Sequence, residues 1–181
     1  MSDLDEFEQK VRAIFDRRGE RDGELFQILE SPDDVVSIVL RGHLVIEELL
    51  FTAIAAYCMD VEQLRRAKLR FPQMIAVLRA IQKLDALPEK IWHAIDDLNA
   101  LRNSLAHSLE PKELTAKINR FLSRLELPEE LTSQATGERG QLRQGLHYLI
   151  GSMSVTAAFH AGLQEVIKHE LARAAASAQS N

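Results

Sequence analysis

Nowhere in this chain do apolar and polar residues alternate in the two-residue rhythm of a half-buried strand. Apolar side chains instead return every three to four positions, interrupted by prolines or short clusters of turn residues. A chain patterned this way can bury its apolar surface only by packing helix against helix, so the expected fold class is all-α, an antiparallel helical bundle with long central helices. The 181 residues are enough for one domain with a full hydrophobic core, and 8 Gly with 5 Pro suit long helices joined by few turns. No internal repeat, glycine-rich phosphate loop or Cys/His zinc spacing is present in the sequence.

The breaks divide the pattern. Leu4, Phe7, Val11, Ile14 and Phe15 are helically spaced over residues 3–17, and the charged, glycine-containing run Arg17 to Gly23 is expected to end that helix. Ser31-Pro32-Asp33-Asp34 is a helix start, because Ser caps free amides, Pro suits the first turn and Asp favours the positive end of the dipole. The helix that follows is expected to reach about Met59 and is apolar on most sides, as a central element should be. Asp60 can cap a short helix ahead of the basic cluster Arg65 to Arg70, and Phe71-Pro72 opens another carrying Ile75, Leu78, Ile81 and Leu84.

Leu87-Pro88-Glu89 starts a helix with the stripe Ile91, Trp92, Ile95, Leu98, Leu101 and Leu105. Pro111 opens one with Leu114, Ile118, Phe121, Leu122 and Leu125. Pro128 to Gly140 is expected to be a flexible loop, and a last long helix to run from about Arg139 to Ala175. The expected organisation is an N-terminal amphipathic helical segment at 1–30, a helical-bundle domain at 31–175 and a frayed tail at 176–181.

A net charge of -5 argues against a protein that coats nucleic acid through bulk electrostatics, while leaving room for a small local RNA site. The single Cys58 excludes an internal disulfide framework and is read as a buried small hydrophobe in a reducing, cytoplasmic setting. The acidic start Met1 to Glu6 lacks the order of a signal peptide. No membrane span is expected, since Arg41, His43, Glu47 and Glu48 interrupt the longest apolar stretch.

One stretch carries chemistry: Leu101-Arg102-Asn103-Ser104-Leu105-Ala106-His107. An Arg holds phosphate and a His moves a proton near neutral pH, a pairing that suits a phosphodiester. The stretch resembles the Arg, polar residue, then His signature of the HEPN superfamily, small helical-bundle domains that include metal-independent ribonucleases, many of them toxins or antiviral effectors. The long apolar helix around Arg41 to Leu50 and the lead-in Ile91 to Asn99 extend the resemblance over roughly residues 31 to 125.

The resemblance implies a metal-independent endoribonuclease of the toxin or phage-defence kind, acting on RNA as a homodimer and needing no cofactor. In that reading His107 takes or relays the proton, Arg102 stabilises charge on the phosphate and Asn103 orients either group. An antitoxin or a regulatory protein is the implied partner. His107-Ser108-Leu109-Glu110 lacks the Tyr that HEPN toxins paired with nucleotidyltransferase antitoxins carry shortly after the His, which speaks against that subtype. The alternative is a non-catalytic interaction or transcription-regulatory protein. The helical pattern is also similar, more distantly, to that of the bacterial mannitol operon repressor family.

Helix geometry alone does not assemble the site. At about 100° per residue, Asn103 and His107 lie about 40° apart, on nearly the opposite side from Leu98, Leu101 and Leu105, whereas Arg102 is about 140° from His107. In HEPN-like nucleases two such helices meet across a dimer interface, and the resemblance thereby supplies the convergence. The competing expectation is that Arg102 pairs with Asp96 or Asp97 and His107 caps its own helix end. Glu89, His93 and Asp96 share the face of His107 and make it less welcoming to phosphate.

Elsewhere, Arg65, Arg66, Lys68 and Arg70 are candidate contacts to an RNA backbone or simply a solvated turn. His43 with Glu47, and Glu165 with His169, have a spacing that could share a metal, but each pair is incomplete as a ligand set. The small residues Gly151, Ser152, Ser154, Ala157, Ala158, Ala161 and Gly162 would allow close helix approach, within the chain or between copies.

Overall fold

A computed structural model describes residues 3–30, 34–82, 87–107, 113–133 and 135–179. They form eight helices: α1 (Asp3–Glu30), α2 (Val35–Ala55), α3 (Val61–Ala67), α4 (Phe71–Ile81), α5 (Glu89–His107), α6 (Leu114–Leu125), α7 (Glu129–Thr132) and α8 (Gly137–Gln179). Among the described residues there is no strand, and the fold is an all-α helical bundle. No helix among them is long and apolar enough to cross a membrane.

Local chemistry accounts for most of the boundaries. Asp34 caps α2, its carboxylate accepting the Ser37 N–H at 3.0 Å, and that bond holds the carboxyl below its ordinary range. Ser31, Pro32 and Asp33 lie outside the described residues, as do Leu84 and Pro111. Asp60 caps α3 as expected, accepting from the N–H groups of Glu62 at 2.9 Å and Gln63 at 3.3 Å. Ahead of α4 the Gln73 side chain accepts the Arg70 N–H at 2.8 Å, and Pro72 sits in the first turn. Three junctions use left-handed residues that are not glycine: Lys68 after α3, with φ of 47°, and Glu113 and Glu126 on either side of α6, with φ of 64° and 46°.

Five local expectations are corrected. α1 does not stop at Arg17 to Gly23 but continues to Glu30. Two exposed glycines cost a helix about 1 kcal/mol each. Leu25 and Leu29, buried in the core one turn apart, supply the compensating anchorage, and Arg21 adds ion pairs at 2.6 Å to Glu24 and Glu48. α2 ends at Ala55 rather than near Met59, with Tyr57 and Cys58 donating their N–H groups to Ile54 and Ala55 in a closing turn. Cys58 is consequently half-buried rather than enclosed in a helix. The segment between Pro128 and Gly140 holds α7 and the start of α8, and α8 runs on to Gln179.

α8, with 43 residues, is the spine of the bundle. Leu142, Leu146, Leu149, Ile150 and Met153 along it are buried, and α1, α2 and α6 pack against it. Ser154, Ala157 and Ala158 of the small-residue stripe are buried within the single chain. Across the core, α2 contributes Ile46, Leu49, Leu50 and Ile54, α5 contributes Trp92, Ile95, Leu98 and Leu101, and α6 contributes Phe121.

Two close approaches set the spacing. A Cβ on Gly42 would stand 2.7 Å from both terminal carbons of Leu146, and one on Gly145 would stand 2.6 Å from a terminal carbon of Leu122. Gly151, also in α8, has nothing within 4 Å of such a position. The same substitution should therefore act with opposite sign at two helical sites. Overpacking costs about 1–3 kcal/mol, against a helix-propensity gain of about 1 kcal/mol, so Gly42→Ala should lose stability. Gly151→Ala should gain about 0.4–1 kcal/mol. Urea unfolding of the two variants beside wild type measures both; stabilisation by Gly42→Ala would disprove the tight α2–α8 contact.

Candidate functional site

α5 carries its apolar stripe inward and leaves the motif residues at its outer edge. Leu98 and Leu101 are buried, Arg102 is half-buried, and Asn103 and His107 are exposed. Arg102 Nη1 donates to Asn103 Oδ1 at 3.1 Å, so these two motif residues are joined. His107 stands at the last position of α5, and no hydrogen bond or ion pair among the described residues joins it to Arg102. Ser108, Leu109 and Glu110, where the sequence departs from paired HEPN toxins, lie outside the described residues.

Arg102 does not pair with Asp97. That carboxylate is taken by α6, whose Arg120 and Arg124 approach it at 2.7 and 3.4 Å. Lys117 of α6 donates to Ser104 Oγ at 2.7 Å. One side of α5 is thus fastened to α6 by polar contacts beside the apolar core, and Arg102 is left to the side that meets α2.

On that side stands His43, which the sequence presents only as half of an incomplete metal pair. The residue is 5% exposed, and its ring is stacked on Phe71 of α4 with ring centres 4.1 Å apart. Nε2 lies 3.3 Å from Asn99 Oδ1 on α5, and Nδ1 lies 3.8 Å from Glu47 Oε2. Burial pushes the imidazole below its ordinary range and the Arg102 charge pushes the same way, against the opposing effects of Asn99 and Glu47. Arg102, Asn103, Asn99 and His43 thus form one polar patch where α2, α4 and α5 meet. The signal for Asn99 was available, since it lies three residues before Arg102 on the same flank of α5. Its partner was not, because pairing α2 with α5 is a tertiary fact.

The basic cluster is divided among local tasks. Arg65 lies over the Phe51 ring at 5.0 Å, Arg66 pairs with Glu62 at 3.6 Å, Lys68 makes the left-handed turn after α3, and Arg70 precedes α4. Arg65 and Lys68 line a surface groove of about 310 Å³ with Phe51, Leu64, Leu69, Met74, Glu47 and Glu48. Glu47 is shared, lining the groove and facing His43. Of the carboxylates near His107 in the helical projection, Glu89 is answered by Arg79 at 2.8 Å and approached by His93 at 3.6 Å. Among the described residues no group of three metal-ligating side chains forms, around His43 and Glu47 or around Glu165 and His169.

No family model matches this chain, and neither a curated protein nor a solved structure matches it.

His147 and His160 share with His43 a burial that favours the neutral ring. His160 is wholly enclosed and hydrogen-bonds the Tyr57 hydroxyl through Nδ1; His147 sits edge-on to Phe26, 3.4 Å from Glu30. All three are pushed down chiefly by burial. The unfolded chain then binds protons first as pH falls below about 6.5, and the stability present above that value is lost on the way down to the folded-state values. Thermal unfolding should show a falling midpoint between pH 7 and 5, and His147→Gln should flatten it. A midpoint independent of pH in that window would contradict the burial of the three rings.

Proposed function

We propose that this chain is a HEPN-like, metal-independent endoribonuclease acting as a homodimer, in the manner of a toxin or phage-defence effector. The observation that carries the reading is the placement of Arg102: bonded to Asn103, half-buried, and held outside the core on the helix that ends in His107. A guanidinium so placed offers its remaining donors to a phosphate, and His107, open to solvent, can take the ribose 2′-hydroxyl proton. Strand scission by that route leaves a 2′,3′-cyclic phosphate or its hydrolysis product.

A second copy would complete the site. Val36, Leu40 and Leu44 recur four residues apart on α2 and are 41%, 37% and 62% exposed, an apolar stripe next in sequence to the His43 that meets α5. Covering that stripe with its own twofold copy would bring two motif helices towards one another, each supplying the His107 that the other's Arg102 lacks. The same stripe favours a second reading in which the surface docks a regulatory partner and Arg102 serves recognition alone. Assay separates the two.

Wild type should cleave single-stranded RNA in EDTA, with activity abolished in Arg102→Ala and in His107→Ala and reduced in Asn103→Ala. Mixed dimers of the two dead variants should recover cleavage, because one of their two composite sites is intact. Leu44→Glu should convert the dimer to a folded monomer in light scattering and remove activity with it. Absence of cleavage from wild type on several RNAs would leave the docking reading standing. Mixtures that stay inactive would sink the shared cleft.

A further inference from the structure

We propose that the groove bounded by α2, α3 and the start of α4 docks an amphipathic helix of a partner protein, one that sets apolar side chains into the groove and carries carboxylates along the edge facing Arg65 and Lys68. None of Arg102, Asn103 and His107 lines this surface. The proposal therefore goes beyond the nuclease reading and does not depend on RNA cleavage.

The groove has a volume of about 310 Å³ and an apolar lining between charged rims. Met74 is buried, while Phe51, Leu64 and Leu69 pack on the core and remain half open to water. Covering that surface with apolar side chains is favourable, and the unbranched thioether of Met74 adapts to side chains of different shape. α3, which makes one wall, has no buried residue of its own, so this wall is lightly held and can settle onto a ligand.

The two rims carry opposite charges that are unequally answered. On the α2 side Glu48 pairs with Arg21 at 2.6 Å, and Glu47 stands 3.8 Å from His43. On the α3 side Arg66 pairs with Glu62 at 3.6 Å, but among the described residues no carboxylate pairs with Arg65 or Lys68. Arg65 rests on the Phe51 ring instead, 5.0 Å from its centre. Lys68 takes its place at the rim with a φ of 47°, in the region that glycine occupies freely. A glycine would make that turn without strain and leave the groove one cation short. Cations without an internal partner, beside an apolar lining, are complemented by a ligand that is apolar on one face and anionic along one edge.

A helix suits the groove better than an extended segment or a nucleic acid. The walls are mainly the sides of helices, whose backbone groups are bonded within their own turns. An extended segment would bring them unpaired N–H and C=O groups, whereas a helix arrives with its own already bonded. An RNA strand would set phosphates beside Glu47 and Glu48. The Arg65 guanidinium also covers a face of the Phe51 ring on which a base would otherwise stack.

The test follows the Leu and Met methyl signals of the full-length protein by NMR, with two synthetic helical peptides as probes. Both carry leucines at i, i+4 and i+7; one has glutamates along a flank of that stripe, the other lysines. The glutamate peptide should shift the methyl signals of Leu64, Leu69 and Met74, and the lysine peptide should leave them in place. Arg65→Glu and Lys68→Glu should each weaken the glutamate peptide about tenfold. Both positions are exposed, so the remaining methyl signals show that either variant keeps its fold. Equal binding of the two peptides, or shifts confined to methyls outside the groove, would overturn the proposal. So would an absence of shifts at about 1 mM glutamate peptide. Single-stranded RNA that moves the groove methyls where the peptide does not would overturn it in favour of a nucleic-acid contact.

Discussion

The contact between Gly42 of α2 and Leu146 of α8 sets how near these two core helices come. A Cβ at position 42 would run into the end of the Leu146 side chain, so that side chain must shift within the packed core, next to the ring that His43 holds against Phe71 and Asn99. α5 is joined to α2 by the bond from His43 to Asn99 and to α6 by Asp97. The helix that carries Arg102 thus leans on α2, whose own spacing from α8 is set at a place with no polar chemistry. Interiors are packed too closely for such a displacement to be absorbed without a shift of neighbours.

Charge is distributed along α5 with a similar economy. Its α6 side is fastened locally, Asp97 to two arginines and the Ser104 hydroxyl to Lys117. Glu89 near its start is bound to Arg79 of α4. Arg102 is the cation on this helix left with an amide rather than a carboxylate as its described partner.

Much of the helical architecture was legible because it rests on local rules. Spacing of apolar residues gave the core stripe of α5, with Ile91, Trp92, Ile95, Leu98 and Leu101 all buried, and Asp60 announced α3. The errors arose where distant contacts override local preference. Gly19 and Gly23 read as a break until Leu25 and Leu29 are seen in the core, and nothing near Met59 shows that α2 closes four residues early. At the site, Arg102, Asn103 and His107 could be named from spacing, and their separation around the helix could be calculated. That Asp97 would be claimed by α6, freeing Arg102 for the α2 side, required knowing which helices touch.

The left-handed residues at the two ends of α6 bear on how that helix is held. A non-glycine residue in that conformation costs roughly 1–2 kcal/mol, and Glu113 and Glu126 both adopt it without glycine's freedom. Both junctions would relax if α6 came away, so part of what its apolar face gains by burying Ile118, Phe121 and Leu125 is already spent in the chain entering and leaving it. Local opening of α6 is correspondingly easier than its buried surface alone implies. The back of the motif helix is thus covered by an element with a strained entry and exit, held by its apolar face and by two arginines on a single aspartate.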